Sequence, residues 1–178
     1  VVLEQCAFDG SVQHDHLEGR QLNPGHAIEG AWFIIKEGVY QKNQDLQKLG
    51  CTMLDWMWDR GWDEEYGGII YFRDLDGKSC SDYWHDMKFW WPQNEAVIAN
   101  LYAYHVSGKE NYLDNFCKAH EYFHKLFPDD EYGECYGYFH RDGRRSTDLK
   151  GNMYKGPFHT PRMYLEGAKL LDALTAKK

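Results

Sequence analysis

The chain has 178 residues, enough for one domain with a sizeable core, and 28 acidic against 20 basic side chains give a net charge of −8. That balance argues against nucleic acid or an anionic membrane as the main partner. No apolar run is long enough to span a bilayer, and Val1-Val2-Leu3-Glu4-Gln5 lacks the pattern of a secretory signal. Aromatic residues make up 16% of the chain; most of such a surplus fills a core, and some of it can stack on sugar rings. The cysteines, Cys6, Cys51, Cys80, Cys117 and Cys135, are odd in number, widely spaced and without a CxxC pair. They point to reduced thiols in a cytoplasmic protein.

Val1 to Phe8 reads as a strand already under way, followed by an Asp9-Gly10 turn signal. With no initiator Met, the expectation is that the first part of a longer protein is missing. Leu17 to Gly25 is polar and turn-rich. His26 to Ile35 then reads as a largely apolar helix. Leu46, Leu49, Met53 and Trp56 step by three, four and three residues, one apolar stripe of a second helix. Gly61 to Gly77 predicts a loop holding a short hairpin over Ile69–Phe72. Ala96 to Tyr104 is apolar at every position except Asn100, the pattern of a helix wrapped by protein on all sides. Pro92 suits its start, and Glu95 then falls in its first turn. Tyr112, Phe116, Ala119, Phe123 and Leu126 mark the next one-sided helix. A third apolar helix begins near Thr160-Pro161 and carries Met163, Leu165, Ala168, Leu170 and Leu171.

This is an internal repeat. Glu64-Glu65-Tyr66-Gly67 returns as Asp130-Glu131-Tyr132-Gly133, and both Tyr66 to Tyr132 and Gly77 to Gly143 span 66 residues. The unit is an inner helix, an outer helix and a hairpin loop. Helical pairs of this kind stack as an open solenoid or close as a toroid, and the apolar inner helices favour closure. A toroid takes about six pairs, of which the chain supplies about two and a half, so an all-α fold that forms part of a barrel is expected.

Each inner helix opens on a proline and an ionisable group: Pro24-Gly25-His26, Pro92 with Glu95, and His159-Thr160-Pro161. Parallel inner helices bring their N-termini to one rim, placing two imidazoles and a carboxylate around a common pocket. A helix N-terminus disfavours imidazolium, so both histidines are expected neutral and able to accept a proton. Glu29 lies one turn from His26 and Arg162 one turn from His159, and Trp90 and Trp91 are placed to wall the pocket. Two bases flanking a pocket suit removal of a proton from one face of an acidic carbon and its return to the other. The enolate intermediate needs a cation or donor, for which Arg162 is the obvious local choice unless it ties down its own helix.

Asn23-Pro24-Gly25-His26-Ala27-Ile28-Glu29, Trp90-Trp91-Pro92-Gln93-Asn94-Glu95-Ala96 and Lys155-Gly156-Pro157-Phe158-His159-Thr160-Pro161-Arg162 resemble the N-acylglucosamine 2-epimerase family, in order and across essentially the whole chain. The resemblance implies an (α/α)6 barrel, of which residues 1–178 form the C-terminal portion with the N-terminal half absent. It implies interconversion of N-acetylglucosamine and N-acetylmannosamine, with His26 and His159 as general acid/bases, Glu95 catalytic, and Glu29, Trp90, Trp91 and Arg162 around the substrate. A family arginine from the N-terminal half is outside this chain, so the fragment alone is expected to be inactive. The implied partner is a small-molecule sugar, with a homodimer as the assembly to test. No cofactor is implied; ATP stimulates several members, but there is no Gly-rich phosphate loop here. Cellobiose 2-epimerases and aldose–ketose isomerases share the barrel.

Two other readings compete. His120-Glu121-Tyr122-Phe123-His124 fits HExxH, the zinc protease pattern. The extended motif fails at Phe127 and Asp130, and the matching stretch of the other repeat has no histidine, so no metal site is expected. His14-Asp15-His16 reads as a solvated loop pair. A non-catalytic interaction protein on the same scaffold is the other alternative, since fold alone does not fix activity.

Overall fold

The structure, a computed structural model, describes residues 1–176. A short α1 (Leu17–Arg20) and β1 (Gln21–Leu22) lead into α2 (Pro24–Tyr40), which turns into α3 (Gln44–Gly61). After β2 (Arg73–Asp74) and β3 (Lys88–Phe89) the plan recurs as α4 (Trp90–Ser107) and α5 (Glu110–Leu126). Then β4 (Tyr138–Phe139) precedes α6 (His159–Thr175). Helix α4 is the centre: it packs against α2 on one side, α6 on the other and α5 behind. Every residue from Trp90 to Ala103 is buried, as the largely apolar run from Ala96 leads one to expect, and the polar Gln93, Asn94, Glu95 and Asn100 are buried with it.

Local chemistry sets the helix ends. The Asn23 side chain accepts the His26 N–H at 3.0 Å, with Pro24 in the first helical position. Asn43 caps α3 through Asp45 and Leu46. Helix α4 stops at Gly108, whose φ of 67° is the left-handed cap conformation.

The 66-residue repeat is real at the level of single hydrogen bonds. Asp63 Oδ1 accepts the N–H groups of Glu65 and Tyr66, and Asp129 Oδ1 accepts those of Glu131 and Tyr132. The bridge Trp62↔Ile69 matches Pro128↔Cys135. Each loop then pairs with the strand that leads into the inner helix of its own repeat: Gln21↔Asp74 and Leu22↔Arg73 in one, Lys88↔Phe139 and Phe89↔Tyr138 in the other.

Several expected details differ. Val1–Phe8 forms no strand; one backbone bond, Glu4 N–H to Gln21 O at 3.3 Å, ties it to β1, and Asp9-Gly10 makes a turn without a ladder. Ile69–Phe72 is not a strand pair of its own, because the ladder partner of this loop is β1. Helix α4 begins two residues before Pro92, so Glu95 sits in the second turn, beyond the end of the helix that most favours acids. In α3 the buried face is Gly50, Leu54, Met57 and Trp58, while Leu49 and Trp56 are exposed. The bare Gly50 backbone, against which Ile35 and Ala31 pack, selects that face. Leu165 and Leu171 of α6 are exposed, whereas Met163 and Leu170 are buried. Among the described residues no helix is long and apolar enough to cross a membrane.

Candidate active site

The N-termini of α2, α4 and α6 open onto one cavity of about 790 Å³. His26 and Glu29 come from α2, Trp90 and Trp91 from α4, and His159 from α6. Tyr71, Trp84, Phe89, Tyr138, Asn152, Tyr154 and Phe158 complete the wall from the loops and strands around them. The two histidines, 133 positions apart in the chain, pack against one indole: the ring centroid of Trp91 lies 4.9 Å from that of His26 and 5.5 Å from that of His159. Gly25 makes this possible, since a Cβ there would sit 2.7 Å from the Trp91 ring.

Both imidazoles are held in the same way. Nδ1 of His159 is 2.7 Å from Oε1 of Glu95, and Nδ1 of His26 is 3.0 Å from Oε2 of Glu4. A carboxylate on Nδ1 fixes the proton there and leaves Nε2 as the atom that exchanges protons. The environments differ: the His159 side chain is 20% exposed and Glu95 has no exposed surface, whereas those of His26 and Glu4 are 54% and 30% exposed. The hydrogen bond that His26 donates to Glu4 raises its pKa against the opposing effect of burial, and the charges of Glu4 and Glu29 add to it. At His26 the direction of the shift is set by a carboxylate at hydrogen-bond distance and not by the partial charge of the helix terminus.

Glu95 lies behind the cavity wall. Its Oε2 accepts the Trp32 indole N–H at 2.8 Å, and its Oε1 accepts from Arg162 Nη2 at 2.7 Å as well as facing His159. Arg162 also binds Glu29, so its guanidinium joins α2, α4 and α6 rather than lining the cavity. Burial lowers its pKa, but the hydrogen bonds to Glu95 and Glu29 prevail and hold it above the ordinary value. Glu29, Glu95 and His159 bring potential ligand atoms within 4.8 Å of one another, yet Arg162 already supplies the positive charge between the two carboxylates. One turn further in, Glu166 accepts from Tyr102 at 2.6 Å and from Lys36 at 3.0 Å, a second tie among the same three helices.

A charged cluster ties the first loop to β3. Lys88, fully buried, binds Asp63 at 3.0 Å and the carbonyl of Gly67, and Arg141 grips the same Asp63 at 2.7 Å. Burial pulls the Lys88 pKa down to about 8, while its cationic partners hold Asp63 well below the usual carboxylate range despite its own desolvation. Gln93 spends its amide on both backbone groups of Ile69, at 2.7 and 2.9 Å. The first loop is thereby locked to the start of α4.

His120 and His124 lie on α5, away from the cavity. His124 Nδ1 is 2.9 Å from the His120 carbonyl and its Nε2 is 3.3 Å from the Tyr164 hydroxyl, so both ring nitrogens have partners within the protein. His14 pairs with Asp76 at the surface.

The family model for N-acylglucosamine 2-epimerase matches residues 3–156. The chain belongs to the N-acylglucosamine 2-epimerase family. It is 39% identical over 178 residues to the N-acylglucosamine 2-epimerase of Mus musculus and 37% identical over 177 residues to that of Homo sapiens. The alignments cover 98% and 99% of this chain but 42% and 41% of those relatives, so the chain spans about two fifths of their length. A Bacteroides fragilis cellobiose 2-epimerase is 28% identical over 171 residues, 91% of this chain and 40% of its own. The crystal structure of a D-mannose isomerase (TM-score 0.77, 21% identity, 85% of this chain and 37% of the other) and the structure of cellobiose 2-epimerase from Spirochaeta thermophila (TM-score 0.72, 24% identity, 87% and 39%) share the fold. The family's architecture is the (α/α)6 barrel, and the α-hairpins of this chain are built on that plan.

Of the residues singled out in the sequence, His26, His159, Glu29, Trp90 and Trp91 line the cavity, while Glu95 and Arg162 stand behind it. Tyr71 and Tyr138 were missed although they begin the Tyr-Phe pairs of the two repeated loops, and the repeat itself was the signal. Nothing local marks Glu4, Trp84, Asn152 or Tyr154.

Proposed function

We propose that this chain is the C-terminal portion of a sugar 2-epimerase that interconverts N-acetylglucosamine and N-acetylmannosamine by two-base chemistry at C2. The carrying observation is the pair of imidazoles that line one cavity against Trp91, each with Nδ1 on a carboxylate. In the open-chain aldose the C2 proton is acidic because the C1 aldehyde accepts the electron pair as an enolate. Nε2 of one histidine removes that proton, and Nε2 of the other donates a proton to the opposite face, re-forming the aldehyde. Substrate and product have the same oxidation state, so the reaction requires no redox cofactor.

The aromatic wall suits the apolar face of a sugar. Glu95 holds His159 and does not touch the sugar, and Arg162 is spent on Glu29 and Glu95. The cation that stabilises the enolate is therefore assigned to the family arginine outside this chain, with the protein working in the cytoplasm. The 37–39% identity to N-acylglucosamine 2-epimerases, against 28% to a cellobiose 2-epimerase, favours the acylated hexosamine as substrate.

The test is turnover of the full-length protein on N-acetylmannosamine, mannose and cellobiose in D₂O. The expected result is deuterium at C2 of the acylated hexosamine with formation of its epimer. Preferred turnover of mannose to fructose or of cellobiose would move the protein to a different activity on the same barrel.

A further inference from the structure

We propose that Glu4 is a positioning residue of the active site: its carboxylate holds Nδ1 of His26 and thereby presents Nε2 of that ring to the cavity. The inference rests on the two-base reading and extends it to a residue that no repeat or helix motif marks.

The geometry is specific. Both carboxylate oxygens of Glu4 lie within hydrogen-bond reach of the same ring nitrogen, at 3.2 and 3.0 Å. The segment that carries Glu4 is not part of a helix or strand, yet it is anchored just before that residue and at its own backbone. Val2 and Leu3 pack against the core, and the Glu4 N–H bonds to Gln21 O just ahead of α2. The result reproduces, with a residue from outside the helical repeat, what Glu95 does for His159. His26 has no carboxylate on a neighbouring inner helix in that position. Glu29, one turn along α2, is committed to Arg162.

The two bases consequently differ. Charged or titratable groups facing His26 are Glu4 from the N-terminal segment, Glu29 from α2 and, near Glu4, the Tyr71 phenol, while α4 presents the neutral Trp91 ring. Both carboxylates stabilise the imidazolium, and the raised pKa of His26 agrees with that placement. Glu4 and Glu29 thus favour the imidazolium form of His26, the state from which a general acid starts.

The test is the full-length protein carrying Glu4→Gln or Glu4→Asp, read two ways. An NMR titration of the His26 ring needs no sugar: Glu4→Gln is expected to move its midpoint to lower pH, and Glu4→Asp to restore part of the shift. In turnover, Glu4→Gln is expected to displace the pH–rate profile in the same direction, with kcat falling by less than the roughly 10²–10⁴-fold that general acid–base catalysis contributes and with KM little changed. A His26 midpoint and a pH profile that both match the parent protein would overturn the assignment. A shifted midpoint with unchanged turnover would leave Glu4 bonded to His26 but sink its role in the reaction. Absence of any epimerase activity in the parent protein would count against the two-base reading instead, and the NMR arm would still decide the pairing.

Discussion

Nδ1 of His159 lies 2.7 Å from Oε1 of Glu95, a carboxylate with no exposed surface whose other oxygen takes the Trp32 indole N–H. The pair joins α6 to α4 at the rim where the three inner helices meet. An amide at position 95 would weaken its hold on the Nδ1 proton and would leave Arg162 with Glu29 as its one carboxylate partner at the site. Glu95→Gln should therefore cost turnover on the order of 10²–10⁴-fold with little change in KM, as expected when a buried acid orients a histidine. Steady-state kinetics on the full-length protein checks this. A large rise in KM at constant kcat would mean that Glu95 binds substrate.

Gly25 is the position at which α2 admits Trp91. In Gly25→Ala the new Cβ would fall 2.7 Å from the indole and 3.0 Å from Pro92, so the ring shared by the two histidines must shift. Activity should fall while the helical circular dichroism signal is kept. Retention of full activity would show that the position of Trp91 does not matter.

Gly50 sets the crossing of α2 and α3. Helix propensity alone would reward Gly50→Ala by about 1 kcal/mol. The added Cβ, however, would lie 2.5 Å from Ile35 Cγ1 and 2.6 Å from the Ala31 carbonyl. Overpacking of a core costs roughly 1–3 kcal/mol and should win, since one of the two atoms is backbone. Urea denaturation should show net destabilisation, and a rise in stability would refute the close crossing.

Asp63 is shared by Lys88 and Arg141. Asp63→Asn leaves the fully buried Lys88 without its carboxylate, a change that costs about 3–5 kcal/mol when a buried pair is broken. The same denaturation experiment measures it. A loss under 1 kcal/mol would mean that the Gly67 and Gly68 carbonyls suffice for Lys88.

The pH dependence of stability follows from the raised pKa of His26. A histidine whose folded pKa lies above its unfolded value of about 6.5 stabilises the fold when protonated. That contribution is fully present below the unfolded value and is lost as pH rises through the folded one. It is small, because the pair is largely exposed. As pH rises above about 6.5, stability should decline more in the parent protein than in Glu4→Gln, as read by urea midpoints. Identical slopes would contradict the pairing.

Much of this site was legible because the chain repeats. Proline next to an ionisable residue at the head of each inner helix put His26 and His159 at one rim, and the apolar run from Ala96 marked α4 as the central element. Relations made by tertiary contact were not legible. The spacing of Leu49 and Trp56 marks an apolar stripe on α3, but the Gly50 crossing turns a different face inward. Arg162, from sequence the natural cation for an enolate, is consumed by two carboxylates from α2 and α4. Glu4 lies in a segment without periodicity, where spacing carries no information.

The most direct test of two-base chemistry is deuterium wash-in at C2 catalysed by full-length protein carrying His26→Asn or His159→Asn. Neither variant should interconvert N-acetylglucosamine and N-acetylmannosamine, yet each should exchange the C2 proton of one epimer, a different one for each, through the base that remains. Wild-type epimerisation by either variant, or exchange of both epimers by one of them, would show that a single base serves both faces.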